Sequence, residues 1–216
     1  MSFFSIDSPL MQGLNKIINC AYLSLLWLIF SIPLVTIGAS TTALYYTTNK
    51  VIRNNRGYVF QQFWHSFKTS FKQSTIIWLI YVVIALVLYY DGEIMLVLTE
   101  NSGFGTTANL FFKAMLILIS TWLVYVLAYI ARFEAPLKTI AKNAAFMAIR
   151  HLPKTLLIML IFAVVAFAVW FMPILIIIMP TLGAWFISYF MEKTFAQYMS
   201  DEDRQKEAKL NGKEYE

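Results

Sequence analysis

The chain has 216 residues, of which 59% are apolar and only 13% charged, with a mean hydropathy of +0.64. Soluble domains carry roughly 25% charged residues, so a soluble globule is excluded, and low hydrophobicity is what disorder would need. The net charge is +5 and Cys20 is the single cysteine, so no intramolecular disulfide is available. The composition describes an all-α integral membrane protein.

A hydrocarbon core of about 30 Å takes roughly 20 helical residues to cross. The first uncharged run extends from Ile17 to Ile37 and is interrupted by Pro33. After Gly38 the stretch Ser40 to Asn49 stays uncharged but is rich in hydroxyls. It is too polar to face lipid and is expected to return through the membrane packed against other helices. The run before Gly38-Ala39-Ser40 resembles a signal-peptide h-region, but it lacks an A-x-A site, and cleavage is not expected.

From Tyr58 to Ser74 a helical projection puts Phe60, Phe63, Trp64, Phe67 and Phe71 on one face, with Lys68 and Lys72 opposite. That pattern predicts an interfacial helix leading into a span over Thr75–Tyr90. The stretch Asp91 to Asn109 carries Asp91, Glu93 and Glu100 and no base, and is expected to be an outside loop. A further span covers Leu110–Ala131. A second, weaker amphipathic helix follows, with Phe133, Leu137, Ile140, Ala144 and Met147 on its apolar stripe. The last uncharged run, Thr155 to Met191, would make about 55 Å of helix, nearly twice the core. Pro173 and Pro180 divide it into a hairpin of two spans, near 155–172 and 174–191.

The architecture expected is a polytopic transmembrane helical bundle of five to six spans with two amphipathic cytoplasmic helices. Residues 1–195 form the membrane domain and 196–216 a charged tail. The linkers Lys50–Lys72 and Arg132–Lys154 are strongly basic, so they and the C-terminus are assigned to the cytoplasm. Five spans put the N-terminus outside; six put it inside.

No metal, phosphate or nucleotide motif is present, and His65 and His151 have no carboxylate or cysteine at ligand spacing. No span carries a charge near its centre, where one would mark an ion pathway. The expectation is therefore a non-enzymatic protein without cofactor or metal and without affinity for nucleic acid. Two groups remain as candidate sites. Pro33, Thr36, Gly38, Thr41 and Tyr45 form a proline-broken helix, which serves either tight packing or a solute site. Phe63, Trp64, Phe67, Lys68, Phe71, Lys72, Arg132 and Glu134 form a basic aromatic surface, which either anchors in lipid or docks a partner. Arg132 and Glu134 are two apart and do not face each other on one helix, so each is expected to pair elsewhere.

Leu25 to Ala39 with Ala43 to Tyr46, the block Phe63 to Gln73, and Ala131 to Glu134 with Lys142 to Ala144 and His151 to Pro153 occur in order. Together they resemble the YesL-like family of bacterial membrane proteins, a domain of unknown function, over about residues 10 to 195. Ser70 stands where that family often has asparagine. The resemblance implies a plasma-membrane protein, mostly of Gram-positive bacteria, with the lipid bilayer as its environment. It also implies an association with carbohydrate ABC-transporter permease subunits or a sensor kinase. The second functional class is a small-solute permease or channel through the Pro33–Tyr46 segment.

Overall fold

The computed structural model describes residues 9–100, 102–133 and 135–198. These form a bundle of seven α-helices without a strand among the described residues. The helix α1 (Pro9–Ser31) stops just before Pro33, which lacks an amide donor and disfavours helix at the residue before it. A 3-10 turn at Leu34–Thr36 re-aims the chain into α2 (Ile37–Thr47). The break leaves carbonyls without intrahelical partners, and nearby hydroxyls take them. Thr36 donates to the Phe30 carbonyl at 2.6 Å and to that of Pro33 at 2.7 Å, and Ser40 donates to Phe30 at 2.9 Å.

A π-helical turn, Thr48–Arg53, then leads to α3 (Val59–Leu98). At 40 residues, α3 is about 60 Å long, twice the hydrocarbon core. It packs along α4 (Gly103–Arg132, 30 residues) as a long hairpin. This corrects the expected acidic loop over 91–109: only residues 99–102 lie between the two helices. Both helices are longer than one crossing takes, and they stay paired near their connection. Asn109 donates to Glu93 at 3.3 Å and Lys113 forms an ion pair with Glu93 at 3.4 Å.

The helix α5 (Leu137–Arg150) folds back on α4, where Trp122 donates to the Ala141 carbonyl and Asn143 to the Tyr129 hydroxyl. After a corner at His151, α6 (Leu152–Phe171) tolerates Pro153 because it sits in the first turn. A 3-10 segment, Pro173–Ile177, joins it to α7 (Met179–Phe195), the hairpin the two prolines announce.

Four helices, α1, α3, α4 and α6, are individually long and apolar enough to cross a membrane, against an expectation of five to six spans. The difference lies in α2 and α7. Pro33 sets where α2 begins and Pro180 lies in the first turn of α7; as uninterrupted α-helices these have 11 and 17 residues against the roughly 20 a crossing takes, although α2 runs on through the π-turn to Arg53. Neither faces lipid fully: eight residues of α2 and seven of α7 are buried.

Hydroxyl pairs tie the helices together. Ser24 and Thr181 (2.7 Å) join α1 to α7, and Thr42 and Ser74 (2.8 Å) join α2 to α3. Tyr81 and Ser120 (2.7 Å) join α3 to α4, and Tyr125 and Thr155 (3.0 Å) join α4 to α6. Lipid offers such groups no partner, so each is satisfied across a helix interface.

Candidate functional site

The proline-broken segment is brought together as a packing joint. A β-carbon on Gly38 would lie 2.6 Å from both the Ser74 carbonyl oxygen and the Trp78 β-carbon. Only glycine lets α2 approach α3 this closely. Trp78 in turn donates to the Leu34 carbonyl at 2.8 Å, and Trp27 donates to the Thr41 hydroxyl at 3.2 Å. Pro33 itself is exposed, while Thr36 spends its hydroxyl on the break.

Tyr45 belongs to a different group. It is 6% exposed, and its hydroxyl donates to Glu192 Oε1 at 3.1 Å. The other carboxylate oxygen of Glu192 lies 3.3 Å from Arg132 Nε. Close by, the π-turn delivers Arg53, which donates to the Ser188 carbonyl at 3.0 Å and covers the Tyr189 ring at 5.6 Å. The ends of α2, α4 and α7 thus meet on one carboxylate. Glu192 is absent from the residues singled out in the sequence. It follows the last apolar run by one position, as Arg132 follows the run of α4, and that shared level was the available signal. Arg132 does pair across helices; Glu134 lies outside the described residues, as does the tail from residue 199.

The aromatic block does not act as one surface. Phe63 (0% exposed) and Phe67 (8%) are in the core, packed with tilted rings around Phe30 of α1 at centroid distances of 5.4 and 5.1 Å. Trp64 is half-buried, whereas Phe71, Lys68 and Lys72 are exposed, with Lys68 over the Trp64 ring at 4.7 Å. The amphipathic pattern is therefore a protein-facing stripe at the start of the continuous helix α3, not the lipid-facing side of a separate helix. The α5 stripe behaves alike: Ile140, Ala144 and Met147 are buried in the core, with α5 packed against α4.

Two apolar cavities, of about 340 and 830 Å³, lie on either side of a shared wall formed by Thr41, Val124, Leu127, Phe162 and Ala166. They exist because α6 stands away from the bundle: of its 20 residues only Thr155 and Ile158 are buried. His151 sits outside the spans, and burial, then the charges of Lys154 and Arg150, push its pKa below the usual histidine range.

Fold and interior define the class: a polytopic helical membrane protein whose polar groups serve helix packing. Residues 20–92, about a third of the chain, match the family model described as a protein of unknown function, DUF624. That domain is the YesL-like family of membrane proteins, and it spans the broken helix and the aromatic block. The third block of the resemblance, from Ala131 onward, lies beyond the matched residues. No curated protein and no solved structure matches the chain.

Proposed function

We infer that this is a non-enzymatic accessory or regulatory protein of the bacterial plasma membrane, which works by docking another membrane component. The observation that carries this reading is the use to which polar groups are put. The hydroxyls of Thr36, Ser40 and Thr42 are engaged by backbone or by Ser74, and the cavities beside them are lined mostly by apolar side chains, with Thr41, Ser120 and Thr121 among them. Such an interior supports packing rather than a polar solute path, and so weighs against the permease alternative. The resemblance to the YesL-like family points the docking toward carbohydrate uptake or its sensing, with ABC-transporter permease subunits or a sensor kinase as partners.

The docking surface is the exposed remainder of the aromatic block, Phe60, Lys68, Phe71 and Lys72. Mild cross-linking and pull-down of the tagged protein from native membranes tests the reading. Recovery of transporter permease or kinase subunits is expected, with loss of that recovery when Lys68 and Lys72 become Glu. Recovery of the protein alone overturns it, and solute flux in vesicles that is lost in a Thr36→Val, Thr41→Val variant would establish the permease instead.

A further inference from the structure

Three cations and a histidine gather where the α5–α6 corner meets the end of α7. Lys154 donates to the Thr194 hydroxyl at 2.9 Å. His151 Nε2 lies 3.2 Å from the Tyr198 hydroxyl, and the Arg150 guanidinium covers the rings of Phe146 and Tyr198 at 5.7 and 5.9 Å. Lys193 adjoins Thr194, whose hydroxyl Lys154 contacts, and Arg150 and His151 directly precede the first turn of α6 that carries Lys154. Among the described residues, the contacts that gather these side chains are made to hydroxyls and rings, which neutralise no charge. Neither the Lys113–Glu93 pair nor the Arg132–Glu192 pair involves any of the four. Glu192, the neighbour of Lys193, is turned toward Arg132 and Tyr45. Like charges held this close repel, so the arrangement is complementary to an anion.

The same seam runs into the smaller cavity. Lys154, Ile158, Ile161 and Val165 share one stripe of α6, and Thr194, Ile187 and Gly183 share one stripe of α7. Ile158 is fully buried; Ile161, Val165, Gly183 and Ile187 line the cavity. Along the axis, Ile161 is about 10 Å from Lys154. A β-carbon on Gly183 would come 3.0 Å from the Val165 side chain, so the helices close on each other there and hold the cavity beneath α6. The cavity's lining is mostly apolar and offers water few partners, which suits hydrocarbon.

We propose that this end of the bundle binds an anionic phospholipid, with its headgroup phosphate on Arg150, His151, Lys154 and Lys193 and an acyl chain in the cavity under α6. Basic pockets between transmembrane helices are suited to such headgroups, and the apolar cavity supplies the chain with contacts a soluble phosphate cannot use. The competing occupant is the chain's own acidic run Asp201-Glu202-Asp203, which follows Tyr198 closely in the sequence.

The test is native mass spectrometry of the full-length protein, delipidated in mild detergent and offered equal amounts of phosphatidylglycerol and phosphatidylcholine. Phosphatidylglycerol is expected to be retained about tenfold or more over phosphatidylcholine. The double variant Arg150→Gln, Lys193→Gln, which keeps the Lys154–Thr194 contact, is expected to lose that preference while eluting as the parent does in size exclusion. Ala166→Phe, filling the cavity, is expected to lower retention of the lipid. Equal retention of the two lipids by the parent overturns the proposal. So does displacement of the lipid by excess inorganic phosphate, which would reduce the site to a phosphate site. A preference that appears only after removal of residues 199–216 overturns it in favour of the acidic run.

Discussion

At the scale of single residues, Glu192 and Gly38 carry the most consequence. Glu192 holds Arg132 and Tyr45 at once, in a place where their side chains are mostly out of water. Removing one member of a buried ion pair costs more than the pair contributes, because the partner is left unpaired. Glu192→Gln is expected to lower stability by about 1–3 kcal/mol, below the full figure for deep burial since both groups keep some exposure. A double cycle with Arg132→Met, read by thermal unfolding in detergent, checks this. Additive losses would show that the two side chains do not act together. Gly38→Ala places a methyl where α2 meets α3, at 2.6 Å from backbone, and is expected to cost about 1–3 kcal/mol through forced separation of those helices. His151 carries a pH effect. Its folded pKa is depressed, so its contribution is complete above the unfolded value near 6.5 and is lost as pH falls through the folded pKa. The melting temperature should therefore decline between pH 7.5 and 5.5, and His151→Gln should flatten that decline.

At the scale of elements, α3 shows how far periodicity can take a sequence. The spacing of Phe60, Phe63, Trp64, Phe67 and Phe71 correctly indicates a helix with an aromatic face. It does not indicate what the face touches. A lipid interface and a neighbouring helix are equally apolar, and the same stripe suits both. In the fold α1 lies across the middle of the stripe, burying Phe63 and Phe67 around Phe30 and leaving Phe60 and Phe71 at its edges. Phe63→Ala is accordingly expected to cost about 3–5 kcal/mol, and Phe60→Ala less than about 0.5. Denaturation in detergent distinguishes them; equal small effects would mean that the stripe faces lipid along its whole length. The acidic segment taught the converse. Asp91 and Glu93 look like loop residues by charge, yet the Asn109 and Lys113 side chains across the hairpin hold Glu93 in helix.

At the scale of the whole molecule, charge asymmetry orients the bundle. The basic linkers, before α3 and between α4 and α6, lie at one end of these helices and the acidic α3–α4 connection at the other. By the positive-inside rule, the expected orientation puts the basic end in the cytoplasm. With α3 about 60 Å long, that orientation predicts Asn54 and Phe104 on opposite sides of the membrane. Cys20, the single cysteine, is 4% exposed and gives a quiet background for thiol labelling. A membrane-impermeant maleimide applied to intact cells should label Phe104→Cys and spare Asn54→Cys. The reverse result would invert the orientation.

What the sequence determined by itself is residence in the membrane, the helical bundle, the breaks at Pro33 and Pro173, and the asymmetry of charge. Each follows from local physics: hydrocarbon forces internal hydrogen bonding, and proline ends a helix wherever it falls past the first turn. The tertiary structure alone decided which hydroxyl meets which, that Glu192 rather than Glu93 or another acid takes Arg132, and that α6 stands off over two cavities. These depend on partners distant in sequence, Ser24 with Thr181 or Tyr45 with Glu192. Inside a membrane no contrast between water and oil ranks one apolar helix face above another, so the pairing is chosen by close packing and by scarce polar partners that only the assembled bundle brings together.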